Sequence, residues 1–227
     1  MNAFPFPIVG FDLDGTLFDT SADLGAAVNY ALALAGRPTV ALDAVKALIG
    51  GGPRRMLERG LEQSGGCDPD LLDRLYPPLL DHYRANIAVG TVPYPGLLAA
   101  LDRLDALGVA VGIVTNKQEA LAVRLVDALG LSARFATIIG GDTLGAGNAK
   151  PNAAPIHELV RRLGGGRAAF VGDSIYDVMA AKNAGVLSVA VRFGFPNQPI
   201  ETMGADAIID SYTELISALE RLGQAGG

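Results

Sequence analysis

The sequence predicts an α/β fold: a Rossmann-like core built on a parallel sheet, with an all-helical domain inserted after the first strand. Short apolar runs alternate with helical segments along most of the chain, and this alternation is typical of parallel sheets covered by helices on both faces. The stretch from about residue 20 to residue 87 breaks the pattern because it holds no strand-like run. Half of the residues are hydrophobic and 19% are charged, so we expect a packed core.

Six short apolar runs predict buried strands, because they are rich in apolar residues and bounded by turn residues. Helical segments lie between the later runs, and they end at glycines, which are common just beyond a helix C-terminus. The predicted strands span residues 8–11, 109–115, 137–140, 168–172, 187–191 and 207–209, and the helices between them span 97–107, 120–129, 152–163 and 176–184. Pro151 is expected to begin the helix over 152–163, because the missing N–H of proline is tolerated at that position.

The inserted segment is predicted to form four helices separated by glycine-rich turns. These helices span residues 22–35, 43–49, 54–64 and 69–84. Pro77 and Pro78 are expected to kink or split the last one, since proline removes a backbone donor. We therefore divide the chain into an α/β core over residues 1–19 and 91–227 and a helical domain over residues 20–90.

Composition and charge exclude several classes of function. The net charge of −6 and the pI near 4.9 argue against a general nucleic-acid binder, which needs a basic face. The single cysteine, Cys67, excludes an intramolecular disulfide and a cysteine-rich zinc site. The chain has no run of 18 apolar residues to span a membrane, and its first residues lack the basic region of a signal peptide. We expect a cytoplasmic protein with neither a nucleic-acid nor a membrane partner.

Two aspartates, Asp12 and Asp14, follow the first predicted strand within the segment DLDGTL. Residues two apart in a strand point to the same side, so both leave the carboxyl end of the strand together, where open α/β sheets bind ligands. Close carboxylates repel unless a cation or a shared proton compensates, and Mg²⁺ is a hard ion that suits oxygen ligands. Gly15 would let the backbone approach a ligand or turn sharply. The alternative is a polar strand end with an Asp-Gly turn.

A hydroxyl and an amide, Thr115 and Asn116, end the predicted strand over residues 109–115. A helix follows, and the exposed N–H groups and dipole at a helix N-terminus favour an anion. The alternative is structural, because Asn116 and Glu119 have the spacing of a capping pair.

A lysine and two further aspartates complete the strand-end motifs. Lys150 follows a glycine-rich loop, where its charge can neutralise a phosphate or a carboxylate nucleophile; the alternative is a solvated surface lysine. Asp173 ends the strand over residues 168–172 and suits a metal ion. Ser174 and Asp177 have the spacing of a capping box, or Asp177 orients Asp173 or holds the waters of the metal. All four motifs fall at one edge of one predicted sheet, so we interpret them as one site.

The order of these motifs resembles that of the haloacid dehalogenase superfamily of aspartate-nucleophile phosphatases. The pattern DxDGT, TN, KP and GDSxxD covers the predicted sheet domain, and the helical insertion resembles the superfamily's helical cap. Within the superfamily the chain is most similar to bacterial phosphoglycolate phosphatases, on the stretches FDLDGTLFDT (11–20), IGGGPRRMLERGL (49–61), TNK (115–117) and GDSIYDVMAAKNAG (172–185). Dehalogenases of the superfamily lack the second aspartate, so the presence of Asp14 favours phosphoryl transfer.

The resemblance implies a role for each core residue. Asp12 attacks phosphorus and forms an aspartyl-phosphate, while Asp14 protonates the leaving oxygen and then takes a proton from water. Mg²⁺ is the implied cofactor, held by the carboxylates of Asp12 and Asp173 and the backbone carbonyl of Asp14. Asp177 is implied to lie next to these ligands without binding the ion directly. The implied phosphate-binding residues are Gly15, Thr115, Asn116 and Lys150. Thr115 and Lys150 are also implied to be catalytic.

The resemblance also assigns substrate choice to the helical cap, which is expected to close over the site and exclude water. The loop over residues 50–55 offers glycines for close approach and arginines that can grip a carboxylate. We expect Gly51, Gly52 and Arg54 to determine specificity, and we prefer Arg54 to Arg55. The implied substrate is a small phosphorylated metabolite, with 2-phosphoglycolate first, for an enzyme that is a monomer or a homodimer.

Other functions are compatible with the same motifs. A sugar-phosphate mutase of the superfamily would share every core motif and differ in the cap, and so would a phosphatase acting on pyrophosphate or sugar phosphates. Product analysis separates the mutase from a phosphatase, because the phosphatase releases inorganic phosphate. A signalling domain that accepts phosphate on an aspartate without turnover also uses an acidic edge and a lysine. Such a domain lacks the second acid and the helical insertion.

Overall fold

The computed structural model describes residues 4–196 and 198–225 of the chain. The chain divides into two compact units: Met1–Phe18 with Pro93–Gly227, called here the sheet unit, and Asp19–Val92, called here the helical unit. The helical unit starts one residue before the predicted inserted domain and ends two residues after it. Within the described residues, no helix has both the length and the apolar character needed to cross a membrane.

The described residues form eight strands and nine α-helices. The strands are β1 (Ile8–Phe11), β2 (Phe18–Asp19), β3 (Val92–Pro93), β4 (Ala110–Val114), β5 (Thr137–Ile139), β6 (Ala168–Gly172), β7 (Leu187–Val191) and β8 (Ala207–Ile209). The helices are α1 (Ser21–Leu34), α2 (Leu42–Lys46), α3 (Pro53–Gln63), α4 (Pro69–Ala85), α5 (Leu97–Ala106), α6 (Glu119–Ala128), α7 (Ala154–Arg162), α8 (Ile175–Asn183) and α9 (Leu215–Ala225). Helices α1 to α4 belong to the helical unit.

Six parallel strands form the main sheet, in the order β5-β4-β1-β6-β7-β8. β1 lies between β4 and β6, with Phe11 opposite both Ile113 and Val171. The chain builds β4 and β5 on one side of β1 and then returns to the other side to form β6. This reversal opens a crevice at the carboxyl ends of the strands beside β1, which is where open α/β sheets bind ligands. β2 and β3 form a separate two-stranded sheet.

The central strands are buried along their whole length and have glycines where a helix packs closely. All residues of β1 and β6 are buried. Gly10 of β1 lies opposite Gly112 of β4, and Leu159 of α7 packs on this pair. A Cβ added to either glycine would lie 2.5 Å from a methyl carbon of Leu159. The missing side chains therefore let α7 approach the sheet.

The predicted α/β fold class is confirmed, and all six predicted strands form. The helix predicted to follow Pro151 directly is wrong in its start, because α7 begins at Ala154 and has Pro155 in its first turn. Asn152 accounts for the difference, since its side-chain oxygen accepts the N–H of Ala154 at 2.9 Å and closes a turn ahead of the helix. The sequence patterns do not predict α9 or the two-residue strands β2 and β3.

The helical unit has a hydrophobic core of its own, which contains the fully buried leucines Leu32, Leu48 and Leu57. Of the kink or split expected in its last helix, the split is wrong, because α4 continues through Pro77 and Pro78. Tertiary packing on both sides of the prolines explains this result, since packing routinely overrides local propensity. The buried α4 residues that flank the prolines are Leu72, Leu75, Leu79 and Tyr83.

Candidate active site

The polar residues predicted at strand ends lie together at the carboxyl edge of the main sheet. Asp12 directly follows β1, Thr115 follows β4 and Asp173 follows β6, and these three strands are neighbours. All three side chains are buried. Buried polar groups that converge at the switch point of an open sheet indicate a functional site.

Lys150 is buried between two carboxylates and is not a solvated surface lysine. Its Nζ lies 2.8 Å from Asp12 Oδ1 and 2.5 Å from Asp177 Oδ1, and it donates to the carbonyl of Val114 at 2.9 Å. The contacts with Asp177 and Val114 are hydrogen bonds, whereas the contact with Asp12 is an ion pair. Burial alone would lower the pKa of Lys150, but the charges of Asp12 and Asp177 outweigh burial and raise this pKa above its usual value. Lys150 is therefore held as a cation against Asp12.

Asn116 fixes the backbone of Lys150. The Lys150 N–H donates to Asn116 Oδ1 at 2.9 Å, and Asn116 Nδ2 donates to the Lys150 carbonyl at 3.0 Å. The capping alternative for Asn116 and Glu119 is wrong, because Gln118 takes the N-cap position of α6 and the Glu119 N–H donates to Asp142 Oδ1 at 2.8 Å. The Asn116 side chain is committed to Lys150, so a phosphate would use the backbone N–H of Asn116.

Asp177 forms the capping box considered for it and also binds Lys150, while its expected role toward Asp173 or the waters of a metal stays a prediction. Its Oδ2 accepts the N–H of Ser174 at 3.0 Å and the hydroxyl of Ser174 at 2.6 Å, as expected for a capping box at the start of α8. Its Oδ1 accepts from Lys150. Asp177 therefore orients Lys150, and the two aspartates Asp12 and Asp177 share the positive charge of this lysine.

Asp173 accepts hydrogen bonds from uncharged groups: the Thr16 hydroxyl at 3.1 Å and the Phe195 N–H at 2.6 Å. Gly15 makes room for it, because a Cβ at Gly15 would lie 2.2 Å from Asp173 Oδ2. Gly15 also has a φ of +83°, which favours glycine, and its N–H donates to the Phe18 carbonyl at 2.9 Å. Gly15, predicted to bind phosphate, thus uses its N–H inside its own turn and gives space to Asp173.

Asp12 and Asp173 fit the ligand set of a hard divalent cation. Together with Asp177 they bring carboxylate oxygens within 4.8 Å of one another. Burial raises the pKa of Asp12 to about 7, with Lys150 opposing the shift and Asp177 adding to it. Burial also raises the pKa of Asp173 well above its usual value, and the charges of Asp177 and Asp12 raise it further. Asp12 shares the single charge of Lys150 with Asp177, and the described hydrogen bonds of Asp173 come from uncharged groups, so a bound Mg²⁺ would stabilise both carboxylates.

Asp14 is paired with Lys117, a residue that the sequence analysis did not assign to the site. Lys117 Nζ lies 2.8 Å from Asp14 Oδ1 and 2.7 Å from Oδ2, and the two side chains are only 5% and 17% exposed. Its position in the sequence could have identified it, because Lys117 directly follows the strand-end residues Thr115 and Asn116. The site then contains four carboxylates and two lysines, an excess of two negative charges when all are ionised. One divalent cation would balance that excess.

The predicted specificity residues lie in the helical unit, at the start of α3. Gly51 and Gly52 have φ values of +79° and +91°, which favour glycine. Arg54 forms an ion pair with Asp73 at 2.5 Å, and both side chains are exposed. Arg54 and Arg55 line the same pocket, which has a volume of about 450 Å³. The role of these residues in specificity stays a prediction.

Comparison with known proteins identifies the family. The model of the family described as haloacid dehalogenase-like hydrolase matches residues 9–191, which include every strand-end motif above. Phosphoglycolate phosphatases from Agrobacterium fabrum and Caulobacter vibrioides are 41% and 39% identical, over 94% and 92% of this chain and 92% and 89% of theirs. The crystal structure of a predicted phosphoglycolate phosphatase from Haemophilus somnus 129PT matches with a TM-score of 0.86 at 28% identity, over 94% of this chain and 97% of that one. The chain therefore belongs to the haloacid dehalogenase-like hydrolase family.

Proposed function

We propose that this protein is a Mg²⁺-dependent phosphatase that hydrolyses a small phosphate monoester, 2-phosphoglycolate above all, through an aspartyl-phosphate. The proposal is carried by two carboxylates after one strand, each with its own lysine: Asp12 beside Lys150, and Asp14 beside Lys117. Carboxylates in different environments can take different chemical roles, here a nucleophile and a proton carrier. The similarity to phosphoglycolate phosphatases supports the choice of substrate.

Asp12 is the proposed nucleophile. Its carboxylate oxygen forms a bond to phosphorus as the bond from phosphorus to the leaving alkoxide breaks. Lys150 restrains this carboxylate through the 2.8 Å ion pair, and Lys150 is itself held by Asp177 and the Val114 carbonyl. A nucleophile oriented in this way loses little freedom on the way to the transition state.

Asp14 is the proposed acid and base. In the first step Asp14 must carry a proton, which it gives to the leaving alkoxide, and the alkoxide departs as an alcohol. In the second step it takes a proton from the water that attacks the aspartyl-phosphate, which releases inorganic phosphate and restores Asp12. Splitting the hydrolysis into two transfers lets one carboxyl group serve both.

The phosphoryl oxygens and the metal have separate proposed ligands. The Thr115 hydroxyl, the Asn116 backbone N–H and Lys150 would bind the phosphoryl oxygens. The carboxylates of Asp12 and Asp173 and the backbone carbonyl of Asp14 would hold Mg²⁺. When bound, the cation offsets the repulsion between an anionic nucleophile and an anionic substrate.

We further propose that Arg54 of the helical unit binds the carboxylate of 2-phosphoglycolate, with Gly51 and Gly52 allowing close approach of the backbone. The ion pair between Arg54 and Asp73 is exposed. Exposed ion pairs contribute little free energy, so a substrate carboxylate can replace Asp73 as the partner. Arg55 is the second candidate because it lines the same pocket.

Release of inorganic phosphate tests the proposed function. The panel contains 2-phosphoglycolate, sugar phosphates, nucleotides and pyrophosphate, each with and without Mg²⁺. We expect Mg²⁺-dependent release with the highest kcat/KM for 2-phosphoglycolate. Asp12→Asn should lose at least about 10³-fold in kcat, because an amide does not attack phosphorus. Asp105→Asn, at an exposed position of α5, is the matched control and should keep its activity.

Different products would point to the alternative functions. An isomerised sugar phosphate without free phosphate would indicate a mutase. Faster phosphate release from pyrophosphate or a sugar phosphate than from 2-phosphoglycolate would support a phosphatase with a different substrate. A phosphate that stays on Asp12 without turnover would indicate a signalling domain, and no reaction at all would contradict the proposal.

A further inference from the structure

The ion pair between Lys117 and Asp14 constrains the Asp14 carboxylate more than a surface pair would. Lys117 Nζ lies within 2.8 Å of both carboxylate oxygens, so the orientation of the carboxylate plane is restricted as well as its position. Both side chains are shielded from solvent. Shielded pairs are screened less than exposed ones, whose energies are close to zero. The geometry therefore holds Asp14 in one orientation.

The backbone of Lys117 is anchored within its own loop after β4 and by the loop after β5. Its backbone N–H donates to Thr115 Oγ1 at 3.2 Å, and its carbonyl accepts the N–H of Gly141 at 2.8 Å. A Cβ at Gly141 would lie 2.7 Å from the backbone oxygen of Asn116, so a glycine lets the loop after β5 approach the loop after β4. The side chain of Lys117 thus extends from a fixed backbone, so its ion pair can hold the Asp14 carboxylate in a fixed position.

Resting on the proposed function, we infer that Lys117 is a positioning residue that holds the Asp14 carboxylate in place for proton transfer at the leaving oxygen. Lys117 binds both oxygens of this carboxylate, so the side chain of Asp14 already has a cationic partner within the protein. Asp14 can then offer its backbone carbonyl to the cation and keep its side chain for the proton. In this role Lys117 acts through Asp14 and does not contact the substrate.

The need for a positioned proton donor depends on the leaving group. The glycolate alkoxide of 2-phosphoglycolate must gain a proton as it departs. Acetyl phosphate is of similar size, but its leaving group is acetate, which is stable as an anion at neutral pH. Loss of the positioning residue should therefore slow the first substrate far more than the second.

The test compares kcat/KM for both substrates at saturating Mg²⁺ in the native protein and in Lys117→Met. We expect a loss of about 10²-fold for 2-phosphoglycolate, within the usual range for acid catalysis, and a loss below about 5-fold for acetyl phosphate. Lys182→Met removes an exposed lysine of α8 and is the matched control, with no change expected for either substrate.

A double-mutant cycle with Asp14→Ala shows whether Lys117 acts through Asp14. In the Asp14→Ala background, Lys117→Met should change kcat/KM by less than about 3-fold for both substrates, because its partner is already gone. The double variant leaves no unpaired buried charge, so it should fold even where Lys117→Met does not. A further large loss on going from Asp14→Ala to the double variant would then overturn the inference by itself.

Two results would overturn the inference: an equal loss for both substrates in Lys117→Met, or a further large loss in the Asp14→Ala background, which would indicate direct contact with substrate. A native protein that releases no phosphate from either substrate would contradict the proposed function and the inference together. An active native protein with either overturning result would contradict the inference alone.

Discussion

Asp173 is the residue of the site whose charge the protein compensates least. It is as deeply buried as Asp177, yet its described hydrogen bonds come from the uncharged groups of Thr16 and Phe195, whereas Asp177 has the ammonium of Lys150. Burial consequently raises the pKa of Asp173 well above its usual value. The ionised form is costly in the folded chain unless a cation binds beside it.

We expect Asp173→Asn to raise the Tm in EDTA by at least about 2 °C and to abolish stabilisation by Mg²⁺. The pKa of Asp173 is higher in the folded than in the unfolded chain. Its stabilising contribution is therefore present at low pH and lost as the pH rises through the folded value, and an amide avoids this loss at neutral pH. Thermal unfolding followed by circular dichroism, in EDTA and in excess MgCl₂, measures both effects.

Asp105→Asn is the control for this experiment, because it removes an exposed carboxylate of the same unit. It should change neither the Tm nor the response to Mg²⁺. A lower Tm of Asp173→Asn in EDTA, or a full response of that variant to Mg²⁺, would contradict the metal site proposed here.

Among the elements, α7 and the two central strands β1 and β4 depend on a shared contact. Leu159 is 1% exposed and fills the space that side chains at Gly10 and Gly112 would take. A Cβ at Gly10 would also lie 2.8 Å from the buried ring of Phe170. The packing of this helix thus requires small residues at matching positions of adjacent strands.

We expect Gly10→Ala to lower the free energy of unfolding by about 1–3 kcal/mol, because the added methyl overpacks the core. Leu159→Ala should cost about 2–5 kcal/mol through a cavity. The double variant should lose less than the sum of both by about 1 kcal/mol or more, since the new methyl enters the space that Leu159 vacates. Urea unfolding of the four proteins measures this coupling, and strictly additive losses would show that Leu159 does not limit the space at Gly10.

For the whole molecule, the division into two units separates the proposed chemistry from the proposed substrate choice. Every residue assigned to catalysis or to the metal belongs to the sheet unit, whereas Gly51, Gly52 and Arg54 belong to the helical unit. Each unit has its own buried hydrophobic residues. The proposed contact of Arg54 with the substrate therefore predicts that a substitution in the helical unit changes substrate preference without disturbing the sheet unit.

We expect Arg54→Ala to raise KM for 2-phosphoglycolate by about 10–100-fold, because it removes a charged partner of the substrate carboxylate. The kcat for this substrate should stay within about 3-fold, since ground-state binding alone is lost. Ethyl phosphate, which has no carboxylate, should show no change. Steady-state kinetics of both substrates measure the difference.

Arg84→Ala is the matched control, because Arg84 is another exposed arginine of the helical unit in an ion pair, here with Asp81. It should leave both substrates unaffected. An unchanged kcat/KM for 2-phosphoglycolate in Arg54→Ala would rule out the proposed contact and make Arg55 the next residue to substitute.

Local pattern was sufficient to predict the strands and the edge on which the site lies. Asp12, Thr115 and Asp173 each follow an apolar run, and the carboxyl ends of parallel strands share one edge of a sheet. The sequence alone therefore determined the α/β class, the place of the helical insertion and the motifs at that edge. It also placed Lys150 directly after a glycine-rich loop. It did not predict the start of the next helix, which depends on a local turn at Asn152.

Only the tertiary structure decided which of these groups are partners. Lys117 joins Asp14 across 103 positions of sequence, and Asn116 holds the backbone of Lys150 across 34. The backbone N–H of Phe195 donates to Asp173. A backbone donor cannot be identified from the residue type. Such contacts depend on strand order and on the paths of distant loops. Patterns within one segment record that segment's own periodicity, so they place a residue at the sheet edge and do not specify which other residue it binds there.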